Sequence, residues 1–97
     1  EERERLRQAY ISALEDLARL YLDSNQLDQC LTTCHLALAQ DRYNEAIYQL
    51  VMRAYAALGD RSSIVKRYQA SKEALQAGLG ISPSQETEEL YRDLTAR

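Results

Sequence analysis

The sequence predicts an all-α fold, and three observations support that prediction. Apolar side chains recur at three- and four-residue steps in several segments, which is the period of amphipathic helices. The chain contains only three glycines and one proline in 97 residues, and it has no strand-like alternation of useful length. Hydrophobic residues make up 45%, an ordinary share for one small domain with a modest core.

Five segments have the helical period. They are expected at residues 3–22, 26–40, 45–58, 61–78 and 83–95. Asn44 can cap the third helix with its side chain, and Gly59 can end it because glycine takes the left-handed conformation without steric cost. Gly78 and Gly80, which flank Leu79, are expected to break the fourth helix. Ser82 and Pro83 look like a helix start, with serine as the cap and proline in the first helical position.

The apolar positions of these helices predict the core. The first helix is expected to be buried along a stripe formed by Leu6, Tyr10, Ala13, Leu14, Leu17 and Tyr21. The third helix is expected to turn Leu58 inward, and the fourth is expected to continue its apolar face to Leu79.

The two cysteines, Cys30 and Cys34, lie one turn apart on the second helix. A disulfide at this spacing has poor geometry, and two thiols are too few for a structural zinc site. Free, buried thiols are therefore expected, and they fit a reduced, cytoplasmic setting. Neither a metal nor a cofactor is expected.

No catalytic constellation is found. His35 is the only histidine, and it directly follows Cys34. Neighbouring residues on a helix point about 100° apart, which places these two poorly as a base and a nucleophile. A glycine-rich phosphate loop is also missing. The sequence therefore predicts that the chain is not an enzyme.

The formal net charge of −3 argues against a domain that holds a phosphate backbone by itself. Arg3, Arg5 and Arg7 alternate with glutamates, which is typical of a solvated helix face. A contact with a preceding domain or with a DNA backbone is the alternative. No apolar run reaches the roughly 18–20 residues of a membrane span, so no membrane partner is expected.

Residues of matching bulk return after 34 positions. The first set is Leu14, Leu17, Ala18 and Tyr21, and the second is Tyr48, Val51, Met52 and Tyr55. This spacing is typical of tetratricopeptide repeats, whose helix pairs stack because one pair cannot bury its own apolar face. The sequence therefore predicts a tetratricopeptide-like stack of two antiparallel helix pairs, closed by a C-terminal capping helix.

In such a stack, the first helix of each pair lines the concave side. By the repeat phasing, the candidate groove residues are Glu15, Arg19, Gln49 and Arg53. Arg19 and Arg53 are equivalent under the repeat, and together they would form a cationic strip for an acidic peptide. The alternative is a pair of ordinary exposed arginines.

Several short motifs extend through nearly the whole chain. They are Arg3-Glu4-Arg5-Leu6-Arg7, Leu50-Val51-Met52-Arg53-Ala54-Tyr55, Gly59-Asp60-Arg61, and Leu79-Gly80-Ile81-Ser82-Pro83-Ser84 followed by Thr87. Together they resemble the bacterial transcriptional activator domain of Streptomyces antibiotic regulatory protein-type regulators. The closing motif is the most specific, since generic tetratricopeptide repeats do not need it. Three places depart from the family pattern, namely Cys30 for alanine, Arg42 for proline, and Ala77-Gly78 for a glutamate.

The resemblance implies a non-catalytic regulatory domain of a bacterial transcription activator. A winged-helix DNA-binding domain would precede it, and DNA would be bound only through that parent protein. The implied partners are this neighbouring domain, a second copy in a homodimer, or the transcription machinery. Residues 1–97 would form a single domain, and the missing initial methionine suggests a piece of a longer regulator. The alternative function is a generic tetratricopeptide adaptor that binds a partner peptide in its groove.

Overall fold

The structure is a computed structural model that describes residues 1–96. Its helices are α1 (Glu2–Asp23), α2 (Leu27–Gln40), α3 (Glu45–Ala57), α4 (Arg61–Leu79) and α5 (Gln85–Thr95). No strand occurs among the described residues. The helix α1 packs against α2, and α3 packs against α4, while α2 joins the two pairs and α5 covers α3 and α4. The predicted stack of two helix pairs and a closing helix is therefore confirmed.

Side chains at the helix starts satisfy backbone N–H groups that have no partner within the helix. The Asn44 side chain accepts a hydrogen bond from the Ile47 N–H at 3.2 Å, as the sequence predicts. Asp60 caps α4 in the same way, and Ser84 caps α5. These caps determine where the last three helices begin.

The turns within the two helix pairs have the same geometry. Asn25 and Gly59 are equivalent under the 34-residue repeat, and both have a positive φ, of 60° and 73°. The N–H of the residue after each one donates to the carbonyl of Tyr21 or Tyr55, at 2.8 and 2.9 Å. The repeat in the sequence is therefore also a repeat in the backbone.

Two buried clusters hold the stack together. The first joins α1, α2 and α3 through Leu14, Ala18, Cys30, Cys34, Ala37, Ile47, Leu50, Val51 and Ala54. The second joins α3, α4 and α5 through Met52, Ile64, Tyr68, Leu90 and Leu94. Because α3 contributes to both clusters, it is the central helix. The small side chains of α2 allow this helix to lie close to both of its neighbours.

The predicted core face of α1 is wrong at most positions. Leu6, Tyr10, Ala13 and Leu17 are exposed, whereas Leu14 is buried. The buried residues of α1 are Ile11, Leu14 and Ala18. The helix packs only against α2 and α3 among the described residues. These neighbours cover one side of α1 and leave its second apolar face open.

Two helix ends also differ from the predictions. Ser84 rather than Ser82 is the N-cap of α5, and Pro83 is buried just outside this helix. The reason is a tertiary contact, because Glu45 on α3 binds the backbone of Ser84. Leu58 and Leu79 are 49% and 51% exposed, because each lies where its helix ends.

The helix α4 continues through Gly78 and ends at Gly80, whose φ is 65°. A Cβ atom at Gly78 would lie 2.2 Å from the Tyr43 hydroxyl, so this glycine allows a close approach rather than a helix break. Arg42 donates to the same hydroxyl at 2.9 Å, and its guanidinium carbon lies 5.2 Å from the ring centroid. Arg42 and Gly78 therefore both lie against Tyr43.

Candidate protein-interaction site

The four predicted groove residues lie in three different settings. Arg19 donates to Glu15 at 2.7 Å, so its charge is balanced by an ion pair on the same helix. Gln49 donates to the hydroxyl of Thr87 on α5 at 2.9 Å. Arg53 is exposed and makes no ion pair within residues 1–96. Of the two repeat-equivalent arginines, Arg53 is therefore the one without an ion-pair partner among the described residues.

The closing motif binds the central helix through Glu45, in the first turn of α3. The Glu45 carboxylate accepts hydrogen bonds from the Ser84 N–H at 2.9 Å, the Ser84 hydroxyl at 3.0 Å and the Thr87 hydroxyl at 2.6 Å. Thr87 is fully buried, and its hydroxyl also accepts from Gln49. These four residues, here named the α3–α5 clasp, attach the capping helix to the stack.

The clasp favours the charged form of Glu45. Burial is the largest single influence and opposes ionisation, but the hydrogen bonds from Thr87 and Ser84 together outweigh it. The pKa of Glu45 therefore lies below its ordinary value. At neutral pH the carboxylate is ionised and accepts all three bonds.

A second contact holds α5 against α4. The ring of Tyr68 stacks on Tyr91 with centroids 3.9 Å apart and an interplanar angle of 11°. The Tyr68 hydroxyl also donates to the Glu88 carboxylate. Burial and this bond to Glu88 raise the pKa of Tyr68 to about 12. The capping helix is therefore attached through both polar and aromatic contacts.

The charges at the start of α1 are mostly paired within the helix. Arg7 lies 3.0 Å from Glu4, and Arg5 lies 4.0 Å from Glu2. A hydrogen bond from Gln8 and the charge of Arg7 lower the pKa of Glu4. Such exposed pairs contribute little to stability, and they agree with the interpretation of this segment as a solvated helix face.

The two thiols are buried in the folded chain. Cys30 and Cys34 are free and fully buried, as predicted. Burial raises the pKa of both thiols, which keeps them protonated and unreactive. His35 is exposed, so it lies on a different face from the buried Cys34.

The exposed face of α1 consists mostly of residues that the sequence pattern assigns to the core. Leu6, Tyr10, Leu17 and Leu20 are 62%, 44%, 39% and 65% exposed. With the exposed Ala13 they form a line spaced four, three, four and three residues apart, which is here named the α1 stripe. The buried residues Ile11, Leu14 and Ala18 have the same three- and four-residue spacing, so the sequence pattern alone does not separate the stripe from the buried face. None of the described helices is both long and apolar enough to span a membrane.

The helix pairs, the repeated turns and the capping helix define the protein as a short tetratricopeptide-like helical stack. The model of the family described as bacterial transcriptional activator domain matches residues 1–95. The chain therefore belongs to the bacterial transcriptional activator domain family, a family of regulatory rather than enzymatic domains. The resemblance identified from the sequence motifs is confirmed.

A search of curated proteins finds the heat shock protein sti1 homolog of Schizosaccharomyces pombe. It is 39% identical over 49 residues, which cover 50% of this chain and 8% of that protein. The chain therefore spans only a small part of the length of this relative. No solved structure matches the chain significantly.

Proposed function

We propose that the chain is the regulatory interaction domain of a cytoplasmic bacterial transcription activator. It forms one domain, residues 1–97, of a larger regulator and supports promoter binding or activation by a neighbouring winged-helix domain. The family match over residues 1–95 is the observation that carries this proposal. The net charge of −3 supports a role in which DNA is bound by the neighbour and not by the stack itself.

The α3–α5 clasp supports the same role from the structural side. It uses Ser84 and Thr87, which belong to the most specific part of the family resemblance, to complete the stack. A stack that is closed at this end has a defined shape and can present fixed helix faces to a partner.

The experiment uses the full-length regulator with a reporter gene under its own target promoter. A winged-helix domain is expected upstream of Glu1. Replacing residues 1–97 with a flexible Gly/Ser linker should abolish most of the reporter activity, while an exposed substitution, Thr32→Val, should leave it intact. Footprinting of the promoter then separates a loss of DNA binding from a loss of activation. Full activity without residues 1–97 would contradict the proposal.

The second candidate function is an adaptor that binds an acidic peptide in the concave groove. The exposed side chain of Arg53, without an ion pair in residues 1–96, is the observation that favours it. Since Arg19 is already paired with Glu15, Arg53 would provide most of the attraction.

Fluorescein-labelled peptides rich in Asp and Glu test this second candidate by fluorescence anisotropy. Arg53→Glu should weaken binding about tenfold or more, as expected when one charge-assisted contact is reversed. The matched control is Arg61→Glu, which reverses another exposed arginine at the start of α4. The double variant Arg19→Glu/Arg53→Glu should add little to the single one. Equal binding by the wild type and the Arg53→Glu variant would exclude the groove.

A further inference from the structure

The two ends of the stack carry different chemistry. At the C-terminal end, α5 buries Leu90 and Leu94 against the stack and turns Glu86, Glu89 and Arg92 outward. A polar outer face of this kind ends a helical repeat array. The other end is formed by α1, whose outer face is the apolar and exposed α1 stripe. One end is therefore closed, whereas the other has the apolar face of an interior repeat, which no described helix covers.

The internal repeat shows where an equivalent face is covered. A shift of 34 residues places Ala13, Leu17 and Leu20 of the α1 stripe on three residues of the central helix, which are Ile47, Val51 and Ala54. All three are fully buried, and α2 packs against this helix. The connection between α2 and α3 is short, so the two helices run antiparallel. The repeat therefore indicates that the α1 stripe fits an antiparallel helix of the α2 kind.

The covering helix α2 has small side chains in this cluster. They are spaced four and three residues apart, and they are Cys30, Cys34 and Ala37. Leu17 and Leu20 of the α1 stripe are larger than their equivalents on α3, so they leave less room for the side chains of a covering helix. A helix that packs on the stripe therefore needs small residues such as alanine along its contact line.

The charge beside the stripe is acidic. Residues 1–14 contain three acidic and three basic side chains, whereas residues 15–28 contain four acidic side chains and one arginine. Asp16 lies four residues before Leu20 and Asp23 lies three residues after it, so both are its neighbours on the helix surface. Both aspartates are exposed and make no ion pair within residues 1–96. Their charges are therefore not balanced inside the stack.

The position of Asp23 also calls for a cation. It is the last residue of α1, and no basic residue lies in the last turn of this helix. The C-terminal end of a helix carries the negative end of its dipole, so a carboxylate there is unfavourable unless a positive charge lies nearby. Charge complementarity therefore favours a basic partner at this half of the stripe.

We propose that the α1 stripe binds an amphipathic helix of a partner protein, with small residues along its apolar face and lysine or arginine beside them. The partner helix runs antiparallel to α1, as α2 does to α3. Its basic side chains pair with Asp16 and Asp23, and its small residues pack on Leu17 and Leu20.

A second copy of α1 does not have this chemistry. It carries the same two aspartates, so it brings no surplus of positive charge to the acidic edge. Reversal of the helix about Ala13 would also set Tyr10 against Asp16 and Leu17 against Ala9. A two-fold interface requires self-complementarity, and this face lacks it.

The stripe is separate from the concave groove. Arg19 follows Leu6 by 13 residues, so at about 100° per residue it lies about 140° away around the axis of α1. The groove and the stripe would also take partners of opposite charge. The inference does not rest on the proposed function, because the chain should bind the helix whether or not it acts in transcription.

Fluorescence anisotropy with a synthetic helix tests the site. The fluorescein-labelled probe reproduces the buried face of α2, with alanine at both cysteine positions and lysine at the positions beside that face. A matched probe has glutamate in place of each lysine. One helix pair buries less than the roughly 1,600 Å² of a standard interface, so we expect a dissociation constant of about 10–100 μM for the lysine probe at low salt. The glutamate probe should bind about tenfold more weakly.

Two leucine variants test the apolar contact. Leu17→Gln/Leu20→Gln should weaken binding of the lysine probe about tenfold or more, because it removes apolar contact area without changing the charge. The matched control Leu58→Gln/Leu79→Gln changes two leucines of similar exposure outside α1, and it should bind as the wild type does. Circular dichroism confirms that each variant is folded.

A charge variant tests the basic edge of the partner. Asp16→Asn/Asp23→Asn should weaken binding of the lysine probe about fivefold at low salt, since it removes two exposed charge pairs. It should also remove most of the difference between the lysine and glutamate probes. Loss of a carboxylate from the last turn suits the dipole of α1, so weaker binding would not reflect a destabilised helix.

Four results would overturn the proposal. They are a lysine probe that does not bind at about 1 mM, equal binding of the two probes, and binding that survives Leu17→Gln/Leu20→Gln. The fourth is a wild-type chain that dimerises in analytical ultracentrifugation while Leu17→Gln/Leu20→Gln stays monomeric, because a second copy would then be the occupant of the stripe.

Discussion

The main-chain oxygens of Tyr21 and Tyr55 make the same hydrogen bond, each accepting from the N–H five residues further along, at 2.8 and 2.9 Å. Both bonds close a turn that includes a residue with positive φ, Asn25 in the first helix pair and Gly59 in the second. The chain therefore reverses through the same backbone conformation in both helix pairs.

The turn at Gly59 gives the first prediction. Nothing lies within 4 Å of a Cβ atom added to Gly59, so any effect of substitution comes from the backbone alone. Gly59→Ala should lower the free energy of unfolding by about 1–2 kcal/mol, which is the cost of the left-handed conformation for an L-residue. Gly59→Asn should cost less, because asparagine tolerates this conformation, as it does at position 25. Urea denaturation measures both, and equal stabilities for Ala and Gly would contradict the interpretation.

The clasp gives the second prediction. Thr87→Val keeps the shape of the side chain but removes the hydroxyl that donates to Glu45 and accepts from Gln49. Two polar groups then lose a partner, and the free energy of unfolding should fall by about 1–3 kcal/mol. The control is Thr32→Val, an exposed position on α2, which should change stability by less than about 0.5 kcal/mol. Thermal unfolding followed by circular dichroism compares the two variants.

The pKa of Glu45 gives the third prediction, which concerns pH. The folded-state pKa lies below the ordinary value, which is about 4.3 in unfolded chains. The carboxylate therefore stabilises the fold above that value, and this contribution is lost as the pH falls through the folded-state pKa. The difference in stability between the wild type and Glu45→Gln should be largest near neutral pH and should shrink in acid. A difference that stays constant down to about pH 3 would contradict this assignment.

The contact between Tyr43 and Gly78 gives the fourth prediction. In most exposed helix positions, replacing glycine with alanine stabilises a protein by about 0.5–1 kcal/mol. At Gly78 the new Cβ atom would meet the Tyr43 ring, with its Cε1 atom 2.4 Å away. Gly78→Ala should therefore be less favourable in the wild type than in the Tyr43→Ala variant. A double-mutant cycle measures the coupling, and equal effects in both backgrounds would show that the contact does not matter.

The buried thiols give the fifth prediction. Cys30 and Cys34 have no exposed surface and a raised pKa, so both should react with Ellman's reagent only when the chain unfolds. The reaction should be slow in buffer and complete within the mixing time in concentrated denaturant. The matched control, Thr32→Cys, adds a thiol at an exposed position of the same helix and should react at once in the native state. Rapid labelling of the wild type would contradict the burial of these residues.

Much of the fold could be predicted from the sequence because the relevant signals are local. Helix periods, the Asn44 cap and the left-handed Gly59 depend on residues within a few positions of each other. The repeat adds the pairing of helices, since residues of matching bulk return after 34 positions. None of these features depends on which helix faces pack against each other.

The α1 stripe and the clasp could not be predicted in the same way. Leu14 and Leu17 are equally apolar, and only the positions of α2 and α3 decide that the first is buried while the second is 39% exposed. Glu45 and Thr87 are 42 residues apart, and no local pattern connects them.

The sequence by itself determined that this chain is a helical repeat of the bacterial transcriptional activator domain family. Only the tertiary structure decided which apolar faces are covered, where α5 begins and which polar groups attach it. The physical reason is that helix formation and turn geometry depend on neighbouring residues along the chain, whereas burial depends on which other helices lie beside a face.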